Sequence, residues 1–215
     1  MNLTYTDSRP SSSILAEAPI VCVIDGDPAI REELQPLIRS GGWEPRIAVS
    51  AEEFLAGPRL MAPGCLLTEL HLPGQSGLDL QRLVFDRTEM PVIFMSSHAD
   101  VQATVRAMKG GAFEFLTKPL AREVLLATIR DALERSRAAL RHLAQGRALQ
   151  ERYELLTRRQ REIMSLVVSG RLNKQVGGEL GIAEITVKRH RGRMMRTMQA
   201  GSFAELVRMA SSLCA

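Results

Sequence analysis

Between residues 20 and 120, apolar runs of strand length alternate with segments whose apolar positions recur at helical spacing. Ile20–Asp25 (IVCVID) reads as a buried strand, and Asp27 with Pro28 then supplies an N-cap and a proline at the first helical position. Ile30, Leu34, Leu37 and Ile38 share a helical face that Gly41 and Gly42 close, with Pro36 expected to kink it. Arg46–Val49 reads as a short strand, and Ser50 with Glu53 forms a capping box for the helix after it. Cys65–Leu70, Val92–Met95 and Phe113–Thr117 bring the strands to five, with helical patterns over Leu78–Phe85 and Val101–Met108 between them. Such alternation over short connections predicts a doubly wound α/β sheet, parallel and covered on both faces. The crevice of that architecture lies at the carboxyl ends of the strands. The sequence puts Asp25 and Asp27, Glu69, Ser96 and Ser97, and Lys118 there. Singly, each has a plain structural reading: Asp27 as a cap, Ser96 as a turn residue, Lys118 as a solvated charge. Their convergence from four strands on one edge favours a site.

Past residue 120 only helical spacing remains. Leu126, Ile129, Leu133, Ser136, Leu140 and Leu143 recur at intervals of three and four, the stripe of a helix that pairs along one seam. The stripe is short and Gly146 interrupts it. Its first half, through Leu133, is expected to pack on the sheet, and the rest to act as a connector that can assist dimerisation. Thr157 with Gln160 then boxes a helix carrying Ile163, Met164 and Val167 that Gly170 stops. Asn173 is expected to cap a short helix ending at Gly181, a third helix runs from about Glu184 to Met198, and Ser202 with Glu205 boxes a last one. Four short helices predict a compact all-α bundle. The expected organisation is a tail at 1–19, an α/β domain at 20–135, a helical linker at 136–154 and the bundle at 155–215.

Charge divides along the same line. Residues 1–120 carry 10 Lys+Arg against 15 Asp+Glu, and residues 121–215 carry 18 against 9, so a net charge of +4 conceals a basic C-terminal part. That asymmetry points to an anionic polymer as partner of the second domain. On the third helix of the bundle Val187, Met194 and Met198 form an apolar seam, while Lys188, Arg189, Gly192, Arg193 and Arg196 form a separate face. A basic helical face on a small helical core suits the DNA major groove, which admits one α-helix, and Gly192 permits close backbone approach. The methionines and His190 read as structural. With 45% hydrophobic and 24% charged residues the 215-residue chain is no disordered protein, and it has no apolar run of membrane-spanning length. Residues 1–19 are polar and Ser-rich, unlike a signal peptide. Three cysteines, two inside apolar runs, form no metal or disulfide framework. A cytoplasmic location is expected.

Four segments resemble the receiver domain of bacterial response regulators: VIDGD (23–27), LTELHLPGQSG (67–77), IFMSS (93–97) and FLTKP (115–119). The resemblance implies a flavodoxin-like fold. In that family an aspartate ending the third strand takes a phosphoryl group from a sensor histidine kinase, and an acidic pair ending the first strand holds Mg²⁺. A Ser/Thr and a lysine contact the phosphoryl oxygens, and an aromatic residue turns inward as the switch. The resemblance gives these last three roles to Ser96, Lys118 and Phe115. Two departures fall on the chemistry: Glu69 stands at the phosphoacceptor position, and Gly26 replaces one member of the acidic pair. Glutamate carries its carboxylate outward by about one C–C bond, ~1.5 Å, which spoils attack geometry. Loss of a carboxylate at 26 leaves Mg²⁺ short of an oxygen ligand, with Asp27 only a partial substitute. Glu69 is instead expected to meet Lys118 as an ion pair, imitating part of the phosphorylated state. No cofactor is expected, Mg²⁺ included.

The C-terminal part resembles the LuxR-type helix-turn-helix of the FixJ/NarL response regulators. LTRRQREI (156–163), GRLNKQV (170–176), LGI (180–182), TVKRHR (186–191) and FAELVRMA (203–210) carry the likeness. It implies a recognition helix over 184–198, with Lys188, Arg189 and Gly192 facing bases and Lys174 and Thr186 touching phosphates. Arg193 and Arg196 extend that basic face. Gly177-Gly178 in place of better helix formers, and Ala183 at the usual hydroxyl N-cap, predict a looser second helix and recognition-helix entry. The leading reading is a DNA-binding transcription regulator, not an enzyme, whose atypical receiver works without aspartyl phosphorylation. The alternatives are a conventional kinase-phosphorylated response regulator and a protein-interaction adaptor with a degenerate receiver. Double-stranded promoter DNA is the expected partner and a homodimer the expected assembly on it. RNA polymerase is a further candidate partner, a sensor kinase stays open, and no membrane contact is expected.

Overall fold

Alternation within each strand sets the core of the first unit. The computed structural model describes residues 18–58, 62–97 and 100–213; the tail expected over 1–19 falls almost wholly outside them, as does Cys214. Five strands, β1 (Ile20–Ile24), β2 (Glu44–Ala48), β3 (Gly64–Glu69), β4 (Val92–Ser96) and β5 (Glu114–Thr117), lie parallel in the order β2-β1-β3-β4-β5. Side chains of a strand alternate between faces, so Ile20, Cys22, Ile24, Leu66 and Phe94 enter one apolar cluster. Val21, Val23, Cys65, Leu67, Ile93 and Met95 enter the other. Helices α2 (Ala51–Ala56), α3 (Gly77–Leu83) and α4 (Val101–Lys109) cover the first face through Ala51, Leu80, Ala103 and Ala107. Helix α1 (Pro28–Ser40) and the start of α5 (Arg122–Glu154) cover the second through Leu34, Ile38, Leu125, Ile129, Ala132 and Leu133. The doubly wound parallel sheet is thus observed. Helix α1 continues through Pro36 as one element.

The long α5 differs from the expected organisation. It is one helix of 33 residues, continuous through Gly146, and the compact units divide within it, after Leu140. The first unit extends beyond 135 because Ser136 is a core residue. Its hydroxyl accepts the Gly64 N–H at 2.9 Å and donates to the Glu89 carbonyl, so it ties two buried backbone groups to α5.

The second unit contains α6 (Arg158–Val168), α7 (Asn173–Leu180), α8 (Glu184–Met198) and α9 (Phe203–Leu213). Its core gathers Ile163, Met164, Val167, Val176, Val187, Met194, Met198 and Leu206 with Leu149 from the end of α5. The Thr157–Gln160 capping box is formed in both directions. Asn173 does not cap α7. That helix follows Leu172 without a side-chain cap, and Asn173 Oδ1 instead accepts from Arg191 at 2.6 Å. Gly177 is no mere weak helix former either. A Cβ there would lie 2.7 Å from the Ile182 carbonyl oxygen, so the α7–α8 turn requires glycine. Ala183 does precede α8 without a side-chain cap.

Candidate functional site

At the carboxyl edge of the sheet, β1, β3 and the segment after β5 place three charges in contact. Lys118 Nζ donates to Asp25 Oδ2 at 2.7 Å and to Glu69 Oε2 at 2.6 Å. The expected Glu69–Lys118 pair is present, with Asp25 as third member. All three side chains are largely buried, at 11% exposure for Lys118, 3% for Asp25 and 12% for Glu69. The remaining oxygens are occupied too: Glu69 Oε1 accepts the Leu70 N–H at 2.8 Å, and Asp25 Oδ1 accepts the Asp27 N–H at 2.9 Å. Burial works to lower the Lys118 pKa, but hydrogen bonds and charge from Asp25 and Glu69 outweigh it, and the net shift is upward.

The other predicted residues sit around this cluster. Asp27 turns its carboxylate onto the Ala29 N–H at 2.9 Å as the N-cap of α1. Ser96 is buried at the end of β4, where its carbonyl accepts the Lys118 N–H at 2.9 Å and so holds the lysine's backbone. Phe115 is partly buried on the α2–α4 side of the sheet, stacked against Phe94 with ring centroids 6.0 Å apart. Two contributors escaped the sequence reading. Arg31 donates to the Asp25 carbonyl at 2.6 Å, tying α1 to the strand end. Gly77 opens α3 so close to β3 that a Cβ would lie 2.4 Å from the Glu69 carbonyl oxygen. The glycine in LTELHLPGQSG was the available signal for that approach.

In the second unit, α8 turns Val187, Met194 and Met198 inward and leaves Lys188, Arg189, Arg193 and Arg196 exposed. Gly192 is half-buried, and a Cβ there would approach only the Arg196 guanidinium, at 4.0 Å. Lys174 on α7 is exposed, and Thr186 is half-buried in the first turn of α8. Lys188 is paired with Glu184 one turn earlier at 3.1 Å. Arg191, unlike its basic neighbours, is structural. It bonds Asn173 on α7 and stacks on Phe203 of α9, 5.1 Å from guanidinium to ring centre. The interval of three and four running 187, 191, 194, 198 was the available signal that this arginine occupies a seam position.

The two halves each match a known family model: the response regulator receiver domain over residues 21–130, and the bacterial regulatory proteins of the luxR family over 154–210. The chain is a response regulator. It is 42% identical over 195 residues to nodulation protein W of Bradyrhizobium diazoefficiens, spanning 90% of this chain and 86% of the relative. To the transcriptional regulatory protein FixJ of Azorhizobium caulinodans it is 38% identical over 197 residues, 91% and 93% of the two chains. Among solved structures, response regulator StyR matches with a TM-score of 0.79 at 37% identity, over 90% of this chain and 98% of that one. This response regulator is therefore a FixJ-like transcriptional regulator with a LuxR-type DNA-binding domain. Among its described residues no helix is long and apolar enough to cross a membrane.

Proposed function

We propose that this regulator binds promoter DNA as a homodimer without aspartyl phosphorylation, its receiver held in the binding state by the Asp25–Lys118–Glu69 cluster. The carrying observation is Lys118 Nζ at 2.6 Å from Glu69 and 2.7 Å from Asp25. Phosphoryl transfer depends on an acceptor oxygen aimed in line and on a cation that offsets the developing charge. Here both Glu69 oxygens already have donors. The donor set does not fit Mg²⁺: Asp25 is bonded on both oxygens, Gly26 offers none, and Asp27 is spent on capping α1. No group of three His, Cys, Asp or Glu suited to a metal occurs among the described residues. Ser96 and Phe115 keep the places of the hydroxyl and the switch aromatic, so a ligand or protein partner can still bias a two-state receiver. Lys188, Arg189 and Gly192 meet bases, Lys174, Thr186, Arg193 and Arg196 meet the backbone, and RNA polymerase is the partner on the promoter.

Incubation with acetyl phosphate and Mg²⁺ followed by intact-mass spectrometry tests this reading. Unmodified mass is expected for the native chain, and a stoichiometric acyl phosphate overturns it. Glu69→Asp with Gly26→Asp is expected to gain label that Glu69→Asp alone does not, although a side chain at 26 meets the Pro73 ring at 3.3 Å and displaces it slightly. The receiver match over 21–130 favours the kinase-phosphorylated alternative, which predicts the opposite mass result.

A further inference from the structure

Among the residues of α8, one large apolar side chain has no place in the core. Ile185 is 72% exposed, whereas Val187, Met194 and Met198 on the same helix are fully buried. An isolated exposed isoleucine needs no explanation in general. Its angular position does. At about 100° per residue, taking Ile185 as zero, the buried seam lies at about 180–220°, on the opposite side of the helix. On the same scale Lys188, Arg189, Gly192 and Arg196 all fall within about 60° of Ile185. Ile185 therefore heads the row that carries the basic face, in the first turn of α8. Recognition helices of this architecture contact base edges with their N-terminal residues.

We infer that Ile185 is a specificity-determining residue that packs against the 5-methyl group of a thymine in the major groove. The inference rests on the DNA-binding reading above. An aliphatic side chain offers neither donor nor acceptor to a base edge, and the thymine methyl is the one apolar group the major groove displays. Any other base there leaves Ile185 facing polar edges and removes the apolar contact. The neighbours suit the arrangement. Lys188 and Arg189, one turn on, can donate to guanine O6 and N7, while half-buried Gly192 adds no side chain that would hold the helix off the groove floor. The expected site thus has a thymine adjacent to the base pairs read by Lys188 and Arg189, once in each half-site.

The test uses the full chain and a duplex recovered by selection from a random DNA pool. Each thymine is replaced in turn by deoxyuridine, which removes only the methyl. At one thymine per half-site, the native chain is expected to lose roughly three- to fivefold in affinity, the value of one buried methyl-sized contact. Ile185→Ala is expected to lose a similar factor on the thymine duplex and to bind the thymine and deoxyuridine duplexes alike. Ile185→Val, which keeps an aliphatic contact, is expected to retain part of the discrimination. The high exposure of Ile185 means neither variant disturbs the core. A selected duplex whose binding is indifferent to every deoxyuridine change, or for which Ile185→Ala keeps the native discrimination, overturns this inference alone. Failure of the selection to yield any preferred sequence overturns it together with the DNA-binding reading.

Discussion

Removing the two ends of the Lys118–Glu69 pair has unequal consequences, and the inequality can be worked from the geometry. Glu69→Gln keeps the Leu70 N–H bond and leaves Lys118 paired with Asp25, so no buried charge is abandoned. The loss is one charge-assisted hydrogen bond at 2.6 Å, ~1–3 kcal/mol. Lys118→Met leaves two carboxylates, 3% and 12% exposed, with no cation between them, a situation that costs ~3–5 kcal/mol. Trp43 is the chain's one tryptophan and packs on the receiver core, so its fluorescence in urea follows unfolding of this unit within the whole chain. With a slope of ~1–3 kcal/mol per molar, the midpoint falls by about 2 M for Lys118→Met and about 1 M for Glu69→Gln. The pH profile separates the causes. Lys118 titrates above its ordinary 10.5 in the folded protein, so the native cluster's contribution is full below that pH and is lost only as pH rises through the folded value. In Lys118→Met that cation is absent at every pH, so the variant lacks the contribution throughout. The deficit of Lys118→Met is therefore expected to narrow as pH rises through the folded Lys118 value, where the native cluster loses its cation as well. Equal midpoints for the two variants, or a Lys118→Met deficit that ignores alkali, would refute the reasoning.

Three further outcomes follow from the second unit and its connecting helix. Lys188→Ala or Arg189→Ala is expected to relax sequence preference by ~1–3 kcal/mol, while Lys174→Ala weakens all sequences and lowers the salt dependence by about one ion; gel shifts at two salt concentrations distinguish these. Gly177→Ala is expected to destabilise the bundle by ~1–3 kcal/mol in thermal melts, because its Cβ would meet the Ile182 carbonyl. Gly178→Ala, where that space is open, is expected to gain ~0.5–1 kcal/mol. Leu140→Asp is expected to abolish cooperative binding to paired half-sites in a titration, and an unchanged slope returns the 126–143 stripe to a plain connector.

Where one periodicity governed a segment, the sequence carried the answer. The central strands β1, β3 and β4 are buried on both faces and read as near-continuous apolar runs, and all five strands were placed to within two residues of their observed starts. The ends of those runs then placed Asp25, Glu69 and Lys118 together. What escaped were contacts made between elements and not within one. Asn173 has the chemistry of a cap, but a guanidinium 18 residues away claims its side-chain oxygen. Gly177 looked like poor helix propensity because the pattern within α7 does not reveal that the Ile182 carbonyl, just past its end, folds back over it. Ser136 was counted only as a member of the stripe, while its partners, Gly64 and Glu89, belong to other parts of the receiver. In each case a short-range rule was displaced by a tertiary hydrogen bond or contact.

The two departures at the receiver edge make better sense together than apart. The ~1.5 Å that glutamate adds over aspartate is reach, and here it ends on the Lys118 ammonium. Asp25, Glu69 and Lys118 sum to one negative charge, with the Asp27 carboxylate set apart at the positive end of α1. An aspartate at 26 would add a second uncompensated charge beside a nearly dry cluster. A metal ion would offset it in a phosphorylatable receiver, but Lys118 alone does not. Gly26 removes that charge and leaves room beside the Pro73 ring. On the phosphorylation-independent reading proposed above, the Glu69–Lys118 ion pair takes the place of an exchangeable phosphoryl group, and Gly26 is the change that lets the pair stand without a metal. The order of repair follows: Gly26→Asp alone is expected to destabilise the receiver, and to become tolerable only when Glu69→Asp opens the site and Mg²⁺ is supplied.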